Sequence, residues 1–347
     1  MKKKVLYITQ SINGDKAKCG VGQLGNLLGQ TLKHHQLYDF NILYADSVLE
    51  VVGHLENTSY SYDAIIYNYH PGSVPWMAQL GLRRSHPHIK HIRIWHDSNI
   101  KVADLWVNNS GNQSLTPHFA YDNPNNWNHS NDPNWEYLLM FDPTLNGNEY
   151  VFITNRVMPP GPTVEYKELE KPIIGFQGFG FVHKGIEKIA HQVVKEFDEA
   201  IIRLHIPNSF YADPQGYQAR ARVDAVRQIV SKKPGIEVVA SFDMWDNQTI
   251  INMLAQNTIN CYFYDYLDGA GLSSSIDFAL AARRPIAATR SHQMRHLWNL
   301  NPSILIEDKS LKEIIAQGTA PLEQLYIDYS SESVLNDYTK ILQKLLG

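Results

Sequence analysis

Cysteine is almost missing from this chain. Cys19 and Cys261 are the only two in 347 residues, and they lie far apart. Spacing therefore offers neither a disulfide framework nor a cysteine metal site, and the pair reads as reduced and buried, in a reducing compartment. An excess of one charge is missing too. The formal net charge is −4, which gives no electrostatic reason to expect a nucleic-acid partner. No apolar run reaches the roughly 18 residues of a membrane span. The stretch after Met1-Lys-Lys-Lys4 is too short for a signal-peptide core and reads as a first strand, so the expected location is cytoplasmic, with at most peripheral membrane contact. Asp-x-Asp, the metal-diphosphate signature of one large transferase fold, does not occur. Histidine is plentiful, but His292 and His296 enclose Gln293 where a helical zinc site would carry glutamate. No metal and no resident cofactor are expected.

What is present is an alternation of strand and helix patterns. Apolar runs over 5–8, 41–45, 64–69, 92–96 and 150–154 read as strands. Between them, Val21, Leu24, Leu27, Leu28 and Leu32 mark a helix face, and helices are expected from Ser47 and over 74–84. The segment 108–135 breaks this rhythm. It is rich in Asn and Pro, carries Trp127 and Trp135, and is too long for an ordinary loop, so it reads as an insert shaping one side of a site. Met158-Pro-Pro-Gly-Pro162 has the composition of a hinge. Beyond it, strands are expected over 172–176, 200–206, 237–240, 259–264, 285–289 and 303–306. Helices are expected over 186–197, 218–230, 248–255, from Ile276, over 311–316 and over 334–346. The fold class is α/β: two doubly wound Rossmann-like domains facing a cleft, at 1–160 and 161–330, with the terminal helix of 331–347 packing back on the first domain.

Three glycine-rich turns sit where such folds bind ligands, at the carboxyl ends of strands. The first is Cys19-Gly20-Val-Gly22-Gln-Leu-Gly25. It reads either as a turn needing small residues or as an anion-approaching loop at a helix start. The second is Gly178-Phe-Gly180-Phe-Val-His-Lys184-Gly185. A lysine at a positively polarised helix start makes sense if an anion lies between them, the alternative being a solvated surface lysine. The third is Asp268-Gly-Ala-Gly271-Leu272-Ser273-Ser274-Ser-Ile-Asp277, two carboxylates flanking a Gly/Ser turn. Its plain reading is a tight turn with Ser273 capping the next helix. Its functional reading is a cradle for a ligand bearing both phosphate and hydroxyls.

The second and third turns, with Ala279-Leu-Ala and Pro285-Ile-Ala-Ala-Thr289, resemble the donor-binding half of GT-B glycosyltransferases of the family 4 (group 1) type. The loop at Gly20 and Gly22 resembles that family's acceptor-side glycine loop. Asn68-Tyr-His70-Pro71 and Ile94-Trp-His96-Asp97 resemble further strand ends facing its cleft. The resemblance implies a retaining, metal-independent hexosyltransferase. It would move a sugar from a nucleoside-diphosphate sugar to a hydroxyl acceptor such as a glycan, a lipid or a small molecule. By the same resemblance, Lys184 would neutralise the leaving diphosphate and Asp268 would hold sugar hydroxyls. Gly271, Leu272, Ser273 and Ser274 would supply backbone N–H groups, and Asp277 would lie near the ribose. Gly20, Gly22 and Gly180 would line the donor, His96 would lie by the transferred sugar, and His70 and Asp97 would lie on the acceptor side. The family's paired glutamates are here aspartates, more widely spaced, and Phe179 lies near the place of its usual arginine. Arg156, Arg203, Arg290 and Arg295 are the candidates to share in neutralising a diphosphate. Two other activities fit the same residues: a nucleotide-sugar epimerase or phosphorylase of this fold, and a non-catalytic nucleotide-sugar or glycan-binding protein.

Overall fold

The computed structural model describes residues 2–11, 20–70, 73–96, 134–210, 212–267 and 270–347. Asp97, Asp268, Cys19 and nearly all of the 108–135 segment lie outside them. The chain divides into two compact units: Met1–Val157 with Gly269–Leu272 and Asp328–Gly347, and Met158–Asp268 with Ser273–Ile327.

The first unit is built on six short, mostly apolar strands. β1 (Lys4–Thr9), β2 (Asp39–Tyr44), β3 (Ala64–Tyr69), β4 (Lys90–Trp95), β5 (Tyr137–Met140) and β6 (Val151–Ile153) pair in parallel in the order β2-β1-β3-β4-β5-β6. β3 is buried along its whole length and β1 from Val5 onward, as parallel strands covered on both faces must be. One face carries α1 (Gly20–Leu32), whose Leu24, Leu28 and Leu32 are spaced to meet Val5, Tyr7 and Ile66. Gly25 lets this helix come close: a Cβ there would overlap Asn68 Nδ2. The other face carries α2 (Val48–Asn57), started by Ser47, whose hydroxyl accepts from the Glu50 amide. The run at 74–84 is not one helix. A 3₁₀ turn, Pro75–Gln79, and a single helical turn, α3 (Leu82–Ser85), are separated by Gly81 at φ 59. Left-handed backbone ends an α-helix whatever the flanking apolar spacing.

In the second unit β7 (Ile173–Gln177), β8 (Ala200–His205), β9 (Ile236–Ser241), β10 (Ile259–Tyr262) and β11 (Ile286–Ala288) pair in parallel in the order β11-β10-β7-β8-β9. The helices are α4 (Ile186–Glu196), α5 (Tyr217–Val230), α6 (Asn247–Ala255), α7 (Ser275–Ala281), α8 (Leu311–Gln317) and α9 (Glu323–Asp328). The expected strand over 303–306 reduces to a single bridge between Leu305 and Ala288. α6 is capped by Asp246, which accepts from the Thr249 amide, and α8 by a Ser310/Glu313 capping box.

α10 (Ser331–Leu346) returns to the first unit. Val334, Tyr338, Ile341 and Leu342 join Val5, Tyr7 and Leu28 in one core. Thr339 meets His35 Nε2 at 3.0 Å while His35 Nδ1 accepts from the Leu37 and Tyr38 amides. Among the described residues no helix is long and apolar enough to cross a membrane.

Candidate functional site

In a doubly wound sheet the crevice opens where strand order reverses. In the second unit that point lies between β7 and β10. Lys184 follows β7 in a 3₁₀ turn, Val182–Lys184, which Gly185 closes at φ 59. A Cβ on Gly185 would overlap the Phe263 carbonyl oxygen, so the turn lies against the chain leaving β10. The Lys184 ammonium sits 4.0 Å from the centre of the Tyr264 ring. The Tyr264 hydroxyl meets Ser273 Oγ at 3.1 Å and donates to Ser275 Oγ at 3.3 Å. A phenol thus ties the lysine turn of β7 to the serine turn after β10. No carboxylate among the described residues pairs with Lys184; the neighbouring pair is Lys188 with Asp265. His183 is pushed down to about 4, first by burial and then by the Lys184 charge, and is neutral at physiological pH.

The third turn runs into α7 with Ser274 at the cap position and no side-chain capping bond. Ser273 is buried and spends its hydroxyl on Tyr264 and the Ser275 amide, so it does not cap the helix. Asp277 is buried in the first turn of α7. Gly180 has a packing reason for its size: a Cβ there would lie 2.6 Å from Ala219 Cα.

The first unit reverses strand order between β1 and β3. Here Asn68 is fully buried and fully used. Its amide nitrogen donates to Thr9 Oγ1 at 3.0 Å and to the Val21 carbonyl at 3.2 Å, so its oxygen faces His96 Nε2 at 2.6 Å. An amide oxygen only accepts, so His96 must donate from Nε2, which leaves Nδ1 as its acceptor. Burial holds the His96 pKa well below its ordinary value, with the charges of His70 and Arg156 acting the same way. His70, 6.4 Å from His96 between ring centres, is pushed down to about 4 by burial and then by Arg93. Its Nδ1 accepts from the Ser73 amide. Gly20 and Gly22 form the first turn of α1 beside this cluster. Arg156 donates to the Leu272 carbonyl at 3.1 Å.

The structure therefore assembles Lys184, Ser273 and the turn into Ser274 and Asp277 at one switch point. It assembles His96, His70 and the α1 start at the other. Asp268 and Asp97 lie outside the described residues. The other arginines are engaged locally: Arg290 with both oxygens of Asp308, Arg295 with the His292 carbonyl, and Arg203 with Asn257. Sequence reasoning gave Tyr264 no part in the site, and it quoted Asn68 in a strand-end motif without giving it a role. Their signal was a polar atom ending or interrupting an otherwise apolar strand. Among the described residues no three His, Cys, Asp or Glu side chains gather as a metal site.

No protein-family model and no curated protein matches the sequence. Solved structures do match in shape. HepE from Anabaena in complex with UDP-glucose aligns with a TM-score of 0.57 at 11% identity, covering 98% of this chain and 99% of that one. AviGT4, a glycosyltransferase of avilamycin A biosynthesis, aligns at 0.58 and 10%, covering 99% and 98%. A UDP-forming trehalose-phosphate synthase from Burkholderia xenovorans, in complex with glucose-6-phosphate, aligns at 0.61 and 8%, covering 99% and 100%. The chain has their fold. It is the two-domain Rossmann-like GT-B architecture, as the alternation of strands and helices led one to expect.

Proposed function

We propose that this protein transfers a sugar from a nucleoside-diphosphate sugar to a hydroxyl acceptor, with retention of configuration and without a metal. The observation that carries the reading is Lys184. It is a cation with no paired carboxylate among the described residues, packed on Tyr264 at the β7/β10 switch point next to the Ser273 turn. A diphosphate leaving group supplies the missing negative charge, and a fixed cation stabilises that charge most as the glycosidic bond breaks. The backbone N–H groups of Gly271, Leu272 and Ser274 are assigned to the diphosphate oxygens; that of Ser273, expected to join them, is instead given to the Gln293 carbonyl at 3.1 Å. Asp268 holds the hydroxyls of the transferred sugar, and Asp277 lies toward the ribose.

His96 is assigned to the sugar. Neutral, with Nε2 committed to Asn68, it offers Nδ1 to a sugar hydroxyl. His70 and Asp97 are assigned to the acceptor side, and Gly20 and Gly22 to the approach of the donor. Shape neighbours solved with UDP-glucose and with glucose-6-phosphate support a nucleotide-sugar donor and a carbohydrate acceptor.

Incubation with a panel of labelled nucleotide sugars and hydroxyl acceptors, followed by mass spectrometry, tests the reading. Transfer with release of nucleoside diphosphate is expected. Binding of a nucleotide sugar without release in the presence of any acceptor would support the non-catalytic alternative. Conversion of the donor sugar without an acceptor would support the epimerase.

A further inference from the structure

Arg203 is half-buried on β8 and takes no part in the site described above. Its Nη1 donates to the neutral Asn257 Oδ1 at 3.1 Å, and no acid among the described residues pairs with it. Burial lowers its pKa, the mark of a cation taken from water without a counter-charge. Beside it is a cavity of about 350 Å³. The sheet supplies one wall, because Arg203 and Val239 are directly paired across β8 and β9 and so share a face. α6 supplies the other through Thr249, Asn252 and Met253, at helical spacing.

The end wall is Trp245. Its ring lies flat on His205, 4.0 Å between centres at 10°. His205 is fixed in turn by Ser241 Oγ at 2.9 Å from Nδ1 and is held neutral, at about 4, by burial. The wall is therefore set before any ligand arrives, which lowers the cost of binding. The acids on these elements are already engaged: Glu237 with Lys171 at 2.9 Å, and Asp246 with Thr249. Among the described residues Arg203 is the one charged side chain lining the cavity.

We propose that this cavity binds a small monoanion with a flat apolar body, an aromatic carboxylate in chemical class. The planar guanidinium matches a carboxylate in a two-point fork. Trp245, Met253 and Val239 give the ring its apolar contacts, and methionine sulfur and indole both favour aromatic partners. A single cation, with no second one among the described lining residues, selects one negative charge over a diphosphate.

The test follows para-trifluoromethylbenzoate by fluorine NMR against the full-length protein. Its resonance is expected to broaden and shift on binding. Para-trifluoromethylbenzyl alcohol, which has the same ring and no charge, is expected to bind about tenfold more weakly or worse, as is the benzoate to Arg203→Gln; loss of a charge-assisted hydrogen bond has that size. UDP-glucose is expected to leave the benzoate bound. Val239→Trp, at a position 52% exposed, is expected to fill the mouth and abolish binding while the thermal midpoint stays put; it serves if Arg203→Gln does not fold. No binding, equal affinity for the alcohol, undiminished binding to either folded variant, or displacement by UDP-glucose would each overturn the proposal. None of these readouts depends on whether the protein transfers sugars.

Discussion

At His96 the protonation state and the tautomer are set by one amide. Asn68 has its two N–H groups committed to Thr9 and to Val21, so its oxygen can only receive a proton from His96 Nε2. Asn68→Ala leaves Thr9, the Val21 carbonyl and His96 without that partner in a buried place, and is expected to lower stability by about 2–3 kcal/mol. Urea denaturation measures this; an unchanged midpoint would show that water replaces the amide at no cost. Gly25→Ala puts a methyl group into the same amide, and overpacking of that kind costs about 1–3 kcal/mol. The same denaturation series measures it, and unchanged stability would show that α1 can shift away. The chemistry at this scale was legible only where residue type and loop chemistry agreed. The turn that carries Lys184 was readable from its glycines. Asn68 was noticed as part of a strand-end motif, but its bonds were not. They arise from three segments meeting, 59 and 28 residues away along the chain, and no local pattern encodes that.

Elements were legible where a period ran unbroken. Every strand but β5, and the long helices, follow from apolar runs and helical spacing, and α10 was expected to pack on the first domain, as its apolar stripe does against Val5 and Tyr7. The failures have physical causes. Gly81 adopts a left-handed conformation and splits the expected helix over 74–84. β5 was missed because Tyr137–Met140 is short and adjoins the Asn-rich segment, whose composition hid it. Trp135, read as part of a site-shaping insert, is instead 2% exposed and packs against Tyr69 at 4.8 Å. Removing α10 would take away Val334, Tyr338, Ile341 and Leu342 and uncover Val5, Tyr7 and Leu28 beneath them, at about 1.5–3 kcal/mol for each large apolar side chain left exposed. A chain ending at residue 330 is therefore expected to lose cooperative unfolding of its first unit. Native-state proteolysis reads this out, and a shortened chain as resistant as the full one would contradict it.

The whole molecule couples these parts through pH and through topology. His70, His91, His183 and His205 are each held down to about 4, in every case chiefly by burial, against 6.5 for an ordinary histidine. The unfolded chain takes up protons below about pH 6.5 that the native protein refuses. Stability is therefore full above that value and falls as pH drops toward 4, by about 1.4 kcal/mol per pH unit for each of His70, His91 and His205 and by less for His183, which lies nearer the solvent. Thermal midpoints taken from pH 7 to pH 4 should show this decline; a flat profile would mean that these imidazoles protonate inside the native state. Topology explains why two glycine-rich turns distant in sequence lie side by side. β7 and β10 lie side by side where the strand order reverses, so the segments that follow them must open on the same crevice. The central claim is that Lys184 is there for a diphosphate. Calorimetric titration of UDP into the wild type and into Lys184→Ala tests it most directly. The account predicts that the alanine variant binds roughly tenfold to a hundredfold more weakly while keeping its thermal midpoint, the size of a lost charge-assisted contact. Equal affinity of the two proteins for UDP would contradict it.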